Sequence, residues 1–285
     1  MRKFFMLCCL FLPAAFALTP DQLPDSISIA AGDTVLRLDK GKRWYINRID
    51  YTNRKMCLDS PGAHYGTVFA YADVNGFCGS GHIETGHVEE VQSISIVQDG
   101  REITAEDLKN GPVMGRRIEF EKRATVRDFS IVYRFTLYRN ILDESIAVTA
   151  DKDVKLKLCY HFMHPWRVDF DEMIAVAEDG SEMSYTFKGD GNFAMKGRAR
   201  PFAAWYDRES GRGAATLLLP GENRKAMSRL VWDRNIYRKD YFADYFDSVF
   251  PKGTTATYHI RTGFFRSSKE NWKQKAKALP LKKEP

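Results

Sequence analysis

The sequence lacks most of the features that mark membrane proteins and the common classes of enzyme. After its first 17 residues, no stretch approaches the ~20 consecutive apolar residues of a transmembrane helix. There is no GxSxG motif, no phosphate-binding loop and no dinucleotide fingerprint. Internal repeats, low-complexity tracts and linkers rich in Pro, Gly or Ser are also missing. The sequence therefore gives no support to a nucleotide-dependent enzyme, a repeat protein or an integral membrane domain.

Cysteines are few, and two of the five lie in the N-terminal apolar run. Cys8 and Cys9 lack the usual lipobox context, which argues against a lipoprotein. The remaining three are Cys57, Cys78 and Cys159. An odd number permits at most one bridge in an oxidising compartment. We keep two alternatives: a Cys57–Cys78 disulfide, or three unpaired buried cysteines.

The N-terminus has the form of an export signal. Arg2 and Lys3 precede an apolar run over residues 4–16, and Ala15-Phe16-Ala17 matches the small-x-small pattern of a signal-peptidase site. We therefore expect residues 1–17 to be a signal peptide. The mature chain is expected in the periplasm or outside the cell, with no integral membrane segment.

The positive charge is concentrated at the two ends of the chain. Of the net +6, two charges come from Arg2 and Lys3, and four come from the excess of lysine over glutamate in residues 267–285. The body between the ends is neutral. A neutral body with no known binding motif indicates that nucleic acid is not a partner. We interpret residues 267–285 as a basic, solvated and partly helical tail.

Nearly all of the body alternates apolar and polar residues with the period of a β-strand. The segments with this pattern are 26–30, 34–38, 43–49, 67–71, 91–98, 116–124, 129–138, 144–150, 154–163, 183–187, 203–206, 213–219 and 257–265. More than a dozen strands without intervening helices indicate antiparallel sheets. The sequence predicts an all-β protein, with residues 18–266 forming one large β-sandwich domain.

A polar loop at residues 76–92, GFCGSGHIETGHVEEVQ, interrupts these strands. His82 and Glu84 are two residues apart and would share one face of a strand. His87 and Glu89 could join them only after a bulge at Gly86. The loop could bind a metal, supply an acid–base pair, or hydrogen-bond only to its own backbone. No known metal spacing is matched, so we expect no metal and no cofactor, and we favour proton transfer by His82 and Glu84.

A second candidate lies in LCYHFMHPW, residues 158–166. Regular alternation places Tyr160 and His164 on one face, with Trp166 just beyond a proline. Tyr and His can exchange protons with a sugar, and an indole can stack on its C–H face. The alternative is an aromatic core strand with one hydrogen-bonded histidine, which suits His161 equally well.

Charged residues alternate along the segment 116–135, which fits one solvated face of a sheet. An arginine there, Arg117, could still bind the carboxylate of a uronate through both of its terminal nitrogens.

Four segments together resemble the galactose-mutarotase-like β-supersandwich of aldose epimerases and of some polysaccharide lyase domains. They are GDTVLRLDKGKRWYINRIDY (32–51), GSGHIETGHVEEV (79–91), DKDVKLKLCYHFMHPW (151–166) and AAWYDRESGRGAATLLLP (203–220). The resemblance implies a sugar-binding cleft bordered by the His/Glu loop. The epimerase signature of a catalytic His strand and a late Glu is not matched, which leaves the reaction open.

We therefore expect a secreted carbohydrate-active enzyme that uses acid–base chemistry, as a lyase or as an epimerase or hydrolase. The alternative is a non-catalytic glycan-binding sandwich. The expected catalytic residues are His82, Glu84, Tyr160 and His164. The expected sugar-binding residues are Tyr71, His87, Arg117, Trp166 and Trp205.

The export signal gives a first prediction. When the gene is expressed in a bacterium with a functional secretion system, the exported protein should have lost residues 1–17, because the charged start, apolar run and cleavage pattern occur together. Intact-mass analysis of the exported protein checks this, and a mass that still includes Met1 contradicts it.

Overall fold

The computed structural model describes residues 17–58, 66–80, 85–198 and 200–281. The strands, in chain order, are β1 (Ser26–Ala31), β2 (Thr34–Asp39), β3 (Ile46–Tyr51), β4 (Arg54–Leu58), β5 (Val68–Tyr71), β6 (Cys78–Gly79), β7 (Glu90–Gln98), β8 (Arg101–Glu102), β9 (Val113–Met114), β10 (Arg117–Val126), β11 (Phe129–Tyr138), β12 (Ile141–Ala150), β13 (Val154–Trp166), β14 (Glu172–Val176), β15 (Glu182–Thr186), β16 (Phe193–Arg198), β17 (Phe202–Asp207), β18 (Arg212–Leu219), β19 (Ser228–Asp233), β20 (Arg238–Asp244), β21 (Ser248–Phe250) and β22 (Thr255–Arg266). Two short helices accompany them, α1 (Ala105–Lys109) and α2 (Trp272–Lys277). Neither helix, nor any other within these residues, has the length and apolar character needed to cross a membrane.

In this part of the chain the strands form two large sheets. The main path of the first sheet runs β16-β19-β20-β13-β4-β3-β2-β1-β9, with β5, β6 and β21 attached at its side. The second sheet runs β15-β14-β17-β18-β22-β12-β11-β10-β7-β8. Nearly all neighbouring strands are antiparallel, and β1 with β9 is a parallel exception. The predicted all-β sandwich is confirmed.

The long strands of the second sheet show why the alternating pattern forms a sandwich. In β10 and β11, every second side chain is buried and the ones between are partly or fully exposed. Phe120 and Phe135 lie directly opposite each other in register and stack with ring centroids 4.7 Å apart. Such buried cross-strand pairs, packed against the first sheet, form the main core.

Strand β13 carries one extra residue relative to its neighbour β20. His161 lies opposite Phe242 and His164 lies opposite Asp240, so three steps along β13 match two along β20. Phe162 lies at the position of the extra residue, and its φ of 52° is in the left-handed region. This β-bulge reverses the alternation of inward and outward side chains in the second half of β13.

The basic tail is partly helical, as predicted, but it packs on the sheet and is not a solvated extension, which corrects that part of the expectation. Helix α2 forms within the tail and packs on the outer face of the second sheet. Trp272 is buried and stacks on Tyr206 with centroids 5.1 Å apart, while its indole Nε1 donates to Glu172 at 3.0 Å. Leu281 is also buried in this second hydrophobic cluster. Lys269, Lys273, Lys275 and Lys277 are exposed, and the apolar residues of the tail attach it to the sheet.

The Cys57–Cys78 disulfide does not form, and Cys57, Cys78 and Cys159 are all buried as thiols. Cys57 of β4 lies opposite Trp166, near the end of β13. Cys78 of β6 lies opposite Phe69 of β5, and Phe69 in turn lies opposite Cys159 of β13. Seven residues of extended strand, roughly 20 Å, separate Cys159 from Trp166 along β13. That is too far for a bridge, which needs Cα atoms within about 7 Å.

The close packing of β18 against β22 gives a stability prediction. A Cβ atom added at Gly213 would lie 2.1 Å from Cζ of the buried Phe265 ring on the adjacent strand. Gly213→Ala should therefore lower the free energy of unfolding by about 1–3 kcal/mol through overpacking. Gly41→Ala is the control, because a Cβ there has no atom within 4 Å. Urea unfolding midpoints measure both, and equal midpoints for the two variants would contradict the packing argument.

Candidate functional site

Aromatic side chains and a lysine form a cluster on the outer face of the first sheet, away from the second sheet. On β20, Lys239 and Tyr241 point outward, and Asp240 and Phe242, which alternate with them, point inward. Tyr160 of β13 and Trp232 of β19 face the same side. The four outward-facing residues (Tyr160, Trp232, Lys239 and Tyr241), with Phe77 and Phe193 at the edge, are called the outer aromatic cluster below.

The ammonium of Lys239 lies among three rings of this cluster. Its Nζ is 5.8 Å from the ring centroid of Tyr160, 5.6 Å from that of Trp232 and 5.3 Å from that of Tyr241. The residue is 7% exposed, so its ammonium has lost much of its hydration. Each ring face is negative and attracts the cation. Burial raises the pKa of Tyr241 to about 12, so this phenol stays neutral and remains a hydrogen-bond donor.

The rim of the cluster is aromatic and positively charged. Phe77 meets Tyr160 edge-on with centroids 5.9 Å apart. Phe193 carries Lys196 over its ring at 5.3 Å, and the guanidinium of Arg234 lies 5.7 Å from the ring of Trp232. Phe193, Trp232 and Arg234 are partly exposed. The cluster thus combines stacking surfaces with cations that can neutralise an acidic group.

His164 does not share a face with Tyr160, which corrects the expectation drawn from regular alternation. The bulge at Phe162 turns His164 into the sandwich, where it is fully buried. Its Nε2 lies 3.2 Å from Oε2 of Glu144, and Oε1 of Glu144 accepts a hydrogen bond of 2.8 Å from Tyr133. His164 is therefore part of an internal hydrogen-bonded group and does not line the outer face.

The two tryptophans expected to stack on a sugar are also internal. Trp166 and Trp205 are fully buried, with ring centroids 5.1 Å apart. Trp166 lies beyond the bulge, on the same inward side as His164. Trp205 lies on β17, a central strand of the second sheet, and so faces the first sheet across the core. Both tryptophans are core residues.

A second internal group joins Cys159 and His161 of β13 to Asp244 of β20. Cys159 Sγ lies 2.8 Å from Oδ1 of Asp244 and 3.6 Å from Nε2 of His161. Burial raises the pKa of Cys159, lowers the pKa of His161 to about 3 and raises the pKa of Asp244 to about 6. Among the described residues, these are the three side chains of metal-binding type whose donor atoms converge.

A third internal group is the ion pair of Lys122 and Glu89, both fully buried. Lys122 Nζ lies 2.6 Å from Oε1 of Glu89 and 3.1 Å from the ring centroid of Tyr45, and it donates to the carbonyl of Arg43 at 2.8 Å. Burial raises the pKa of Glu89 and lowers the pKa of Lys122 to about 8, because both charges have lost water. Glu89, although its sequence position is in the polar loop, belongs to the core.

Of the other predicted residues, the three that the structure describes, Tyr71, His87 and Arg117, are not brought together. His82 and Glu84 lie outside the described residues, so their roles stay predictions. His87 is exposed, with its backbone N–H donating to Thr85. Tyr71 is buried beneath the guanidinium of Arg127, 4.2 Å from its ring centroid. Arg117 lies on the outer face of the second sheet, beside a groove of about 590 Å³ and bonded to Glu119.

Sequence reasoning missed Trp232, Lys239 and Tyr241, since β19 and β20 were not predicted as strands. A signal was present: Tyr237, Lys239 and Tyr241 are spaced two apart, the period of one strand face. The inward positions between them hold Arg238 and Asp240 instead of apolar residues. Because polar residues occupy these core positions, β20 lacks the alternating hydrophobic pattern that predicts a strand.

The Lys122–Glu89 pair gives a testable prediction about the interior. Lys122→Met leaves the Glu89 carboxylate without its countercharge and should lower the free energy of unfolding by about 3–5 kcal/mol. The double variant Lys122→Met/Glu89→Leu removes both charges and should recover most of that loss. Denaturant unfolding of the wild type and both variants measures this. A double variant less stable than Lys122→Met would contradict the assignment.

Comparison with known proteins identifies the fold. No protein-family model matches the chain, and no curated protein matches it by sequence. Solved structures do match. The Slr1438 protein of Synechocystis sp. PCC 6803 has a TM-score of 0.50 at 12% identity, covering 88% of this chain and 98% of its own. A galactose mutarotase-like protein of Clostridium acetobutylicum has a TM-score of 0.51 at 7% identity, covering 85% and 95%.

A larger enzyme contains a similar unit. The GH36 alpha-galactosidase AgaA of Geobacillus stearothermophilus has a TM-score of 0.56 at 9% identity, and the match covers 85% of this chain and 41% of the galactosidase. At these identities a structural match establishes the fold and leaves the activity to be argued from the site. The chain has the galactose-mutarotase-like β-sandwich fold.

Proposed function

We propose that this protein acts on a carbohydrate bound at the outer aromatic cluster. The observation that carries the proposal is the ammonium of Lys239 held among the rings of Tyr160, Trp232 and Tyr241. Aromatic rings stack on the C–H faces of sugars, and a neighbouring ammonium can bind hydroxyl or carboxylate oxygens. The fold supports the proposal, since similar structures include a mutarotase-like protein and an α-galactosidase.

The charges at the cluster favour an acidic sugar. Lys239 at the centre and Lys196 and Arg234 at the rim provide three cations beside aromatic surfaces. A uronate would place its carboxylate near these cations and its ring against the aromatic side chains. We therefore assign carboxylate binding to Lys239 in place of Arg117, which lies on the other sheet.

For catalysis, we assign proton transfer to Tyr160, whose ring centroid lies 5.8 Å from the Lys239 ammonium. In a lyase-type β-elimination, a base removes the proton on the carbon next to the carboxylate, and a cation stabilises the charge that develops there. Lys239 supplies such a cation, and Tyr160 or a residue of the His82–Glu84 segment would supply the proton-transfer groups. Epimerase or hydrolase chemistry would use the same groups on a neutral sugar.

A non-catalytic glycan-binding function is the alternative, and one observation favours it. Within the described residues, the hydrogen-bonded His164–Glu144 pair lies inside the sandwich and cannot contact a sugar on the outer face. The cluster would then bind glycans by stacking and charge alone. In either case, we propose that the protein works outside the cytoplasm, on the strength of the N-terminal signal.

Two variants test the binding site. Lys239→Met keeps the aliphatic stem and removes the charge, so affinity for uronate-containing glycans should fall about 10–100-fold. Lys155→Met, an exposed lysine on β13, is the control and should bind like the wild type. Calorimetry on a panel of acidic and neutral glycans measures the effect. Equal affinities for Lys239→Met and the wild type, across the panel, would refute the site.

Turnover assays distinguish a catalytic function from glycan binding alone. The panel is assayed for unsaturated products by ultraviolet absorbance and for new reducing ends. If Tyr160 transfers a proton, Tyr160→Phe should lower kcat by about 10²–10⁴ and leave binding nearly unchanged. Tyr138→Phe, on the outer face of the second sheet, is the matched control. Binding without turnover in the wild type would support the glycan-binding alternative and exclude catalysis on the panel.

A further inference from the structure

We propose that Cys159, His161 and Asp244 form a zinc-binding site inside the sandwich. The site is separate from the outer aromatic cluster and does not depend on the carbohydrate proposal. It would hold the metal away from bulk solvent, since all three residues are fully buried.

The sheet itself brings the three donors together. Cys159 and His161 are two residues apart on β13, before the bulge, and therefore point to the same inward side. Asp244 lies directly opposite Cys159 on the neighbouring strand β20. An i, i+2 pair and a cross-strand partner form a triangle of side chains, so no loop is needed to assemble it.

The distances between the donor atoms fit a small tetrahedral metal ion. Zinc bonds of about 2.0–2.3 Å to N, O and S place neighbouring donors about 3.4–3.6 Å apart. Here the separations are 3.6 Å from Cys159 Sγ to His161 Nε2, 2.8 Å from Sγ to Asp244 Oδ1, and 4.0 Å from Nε2 to Oδ1. The carboxylate of Asp244 need shift by less than about 1 Å to complete the geometry.

The outer atoms of two ligands are held by other residues, as in many metal sites. His161 Nδ1 lies 3.2 Å from Thr67 Oγ1, which leaves Nε2 directed at the site. Tyr258 donates to Oδ2 of Asp244 at 3.0 Å, which leaves Oδ1 directed at the site. The Tyr258 ring also packs on the imidazole with centroids 3.8 Å apart. Both ligands are therefore oriented before a metal binds.

The donor set also balances the charge of the ion. A thiolate and a carboxylate together neutralise Zn²⁺, and the imidazole remains neutral, so the loaded site adds no net charge to the core. When the metal binds, the Cys159 thiol releases its proton to solvent and the Sγ–Zn bond replaces the S–H bond. Among the described residues no fourth Cys, His, Asp or Glu joins the group, so a water would complete the tetrahedron.

Metal content of the intact protein is the direct test. The protein is refolded with zinc or with EDTA, dialysed, and analysed by mass spectrometry for zinc, iron, cobalt, nickel and copper. We expect about one zinc per chain. Bound zinc should raise the unfolding temperature by about 8–16 °C at a free concentration of about 1,000 times Kd. Refolding with Co²⁺ should give the visible bands of a tetrahedral site and a thiolate charge-transfer band.

Variants then locate the metal. Cys159→Ala and Asp244→Asn should each lose the bound zinc and the cobalt spectrum, whereas Cys57→Ala, at another buried cysteine outside the group, should keep both. If a ligand variant fails to fold, the wild-type cobalt spectrum still decides whether a thiolate binds the metal. The proposal is overturned if the wild type refolded with zinc carries none of it, or if Cys159→Ala and Asp244→Asn retain it at the wild-type level.

Discussion

The single extra residue in β13 determines which side chains face the proposed sugar-binding surface and which face the core. Before the bulge, Tyr160 points outward and Cys159 and His161 point inward. After it, Met163 points outward, and His164 returns to the inward side. Without the left-handed turn at Phe162, every side chain from there to the end of the strand would face the opposite way.

The inward side of this sheet is unusual in being rich in charged and polar groups. Arg229 and Asp240 form a two-point ion pair with both side chains fully buried, at 2.9 and 2.7 Å. Arg238 pairs with Asp233 at 2.9 Å near one end of the same strands. A buried pair of this kind adds little net stability, but the loss of one partner is costly because the other charge is left desolvated. A shift of β19 against β20 would separate the partners of both pairs.

The sequence was sufficient to predict several long strands whose inward residues are apolar. Strands β10, β11 and β12 follow clean alternation and were located to within a few residues. β19 and β20 were missed, because Arg229, Asp240 and Asp244 occupy inward positions where alternation predicts apolar residues. A pattern of hydrophobicity cannot distinguish a buried, paired charge from a solvated one, since the pairing depends on contacts between distant segments.

The candidate site was predicted only in part, for a related reason. Tyr160 was expected to share a strand face with His164, but His164 lies on the opposite face. The bulge that separates them depends on the partner strand and leaves no mark on the local spacing. The partners that Tyr160 does have, Lys239 and Tyr241, come from a strand about 80 residues later. Only the pairing of β13 with β20 reveals them.

Because strand residues alternate, the outer cluster and the internal polar groups are attached to the same two strands. Lys239 and Tyr241 flank Asp240, which is fixed by Arg229, and Tyr160 lies between Cys159 and His161, which are fixed by Asp244 and Thr67. A shift of β20 along β13 that moved the outer rings would have to break these internal bonds as well. The internal groups thus hold the outer side chains in a fixed arrangement, which would reduce the ordering cost of binding the proposed sugar ligand.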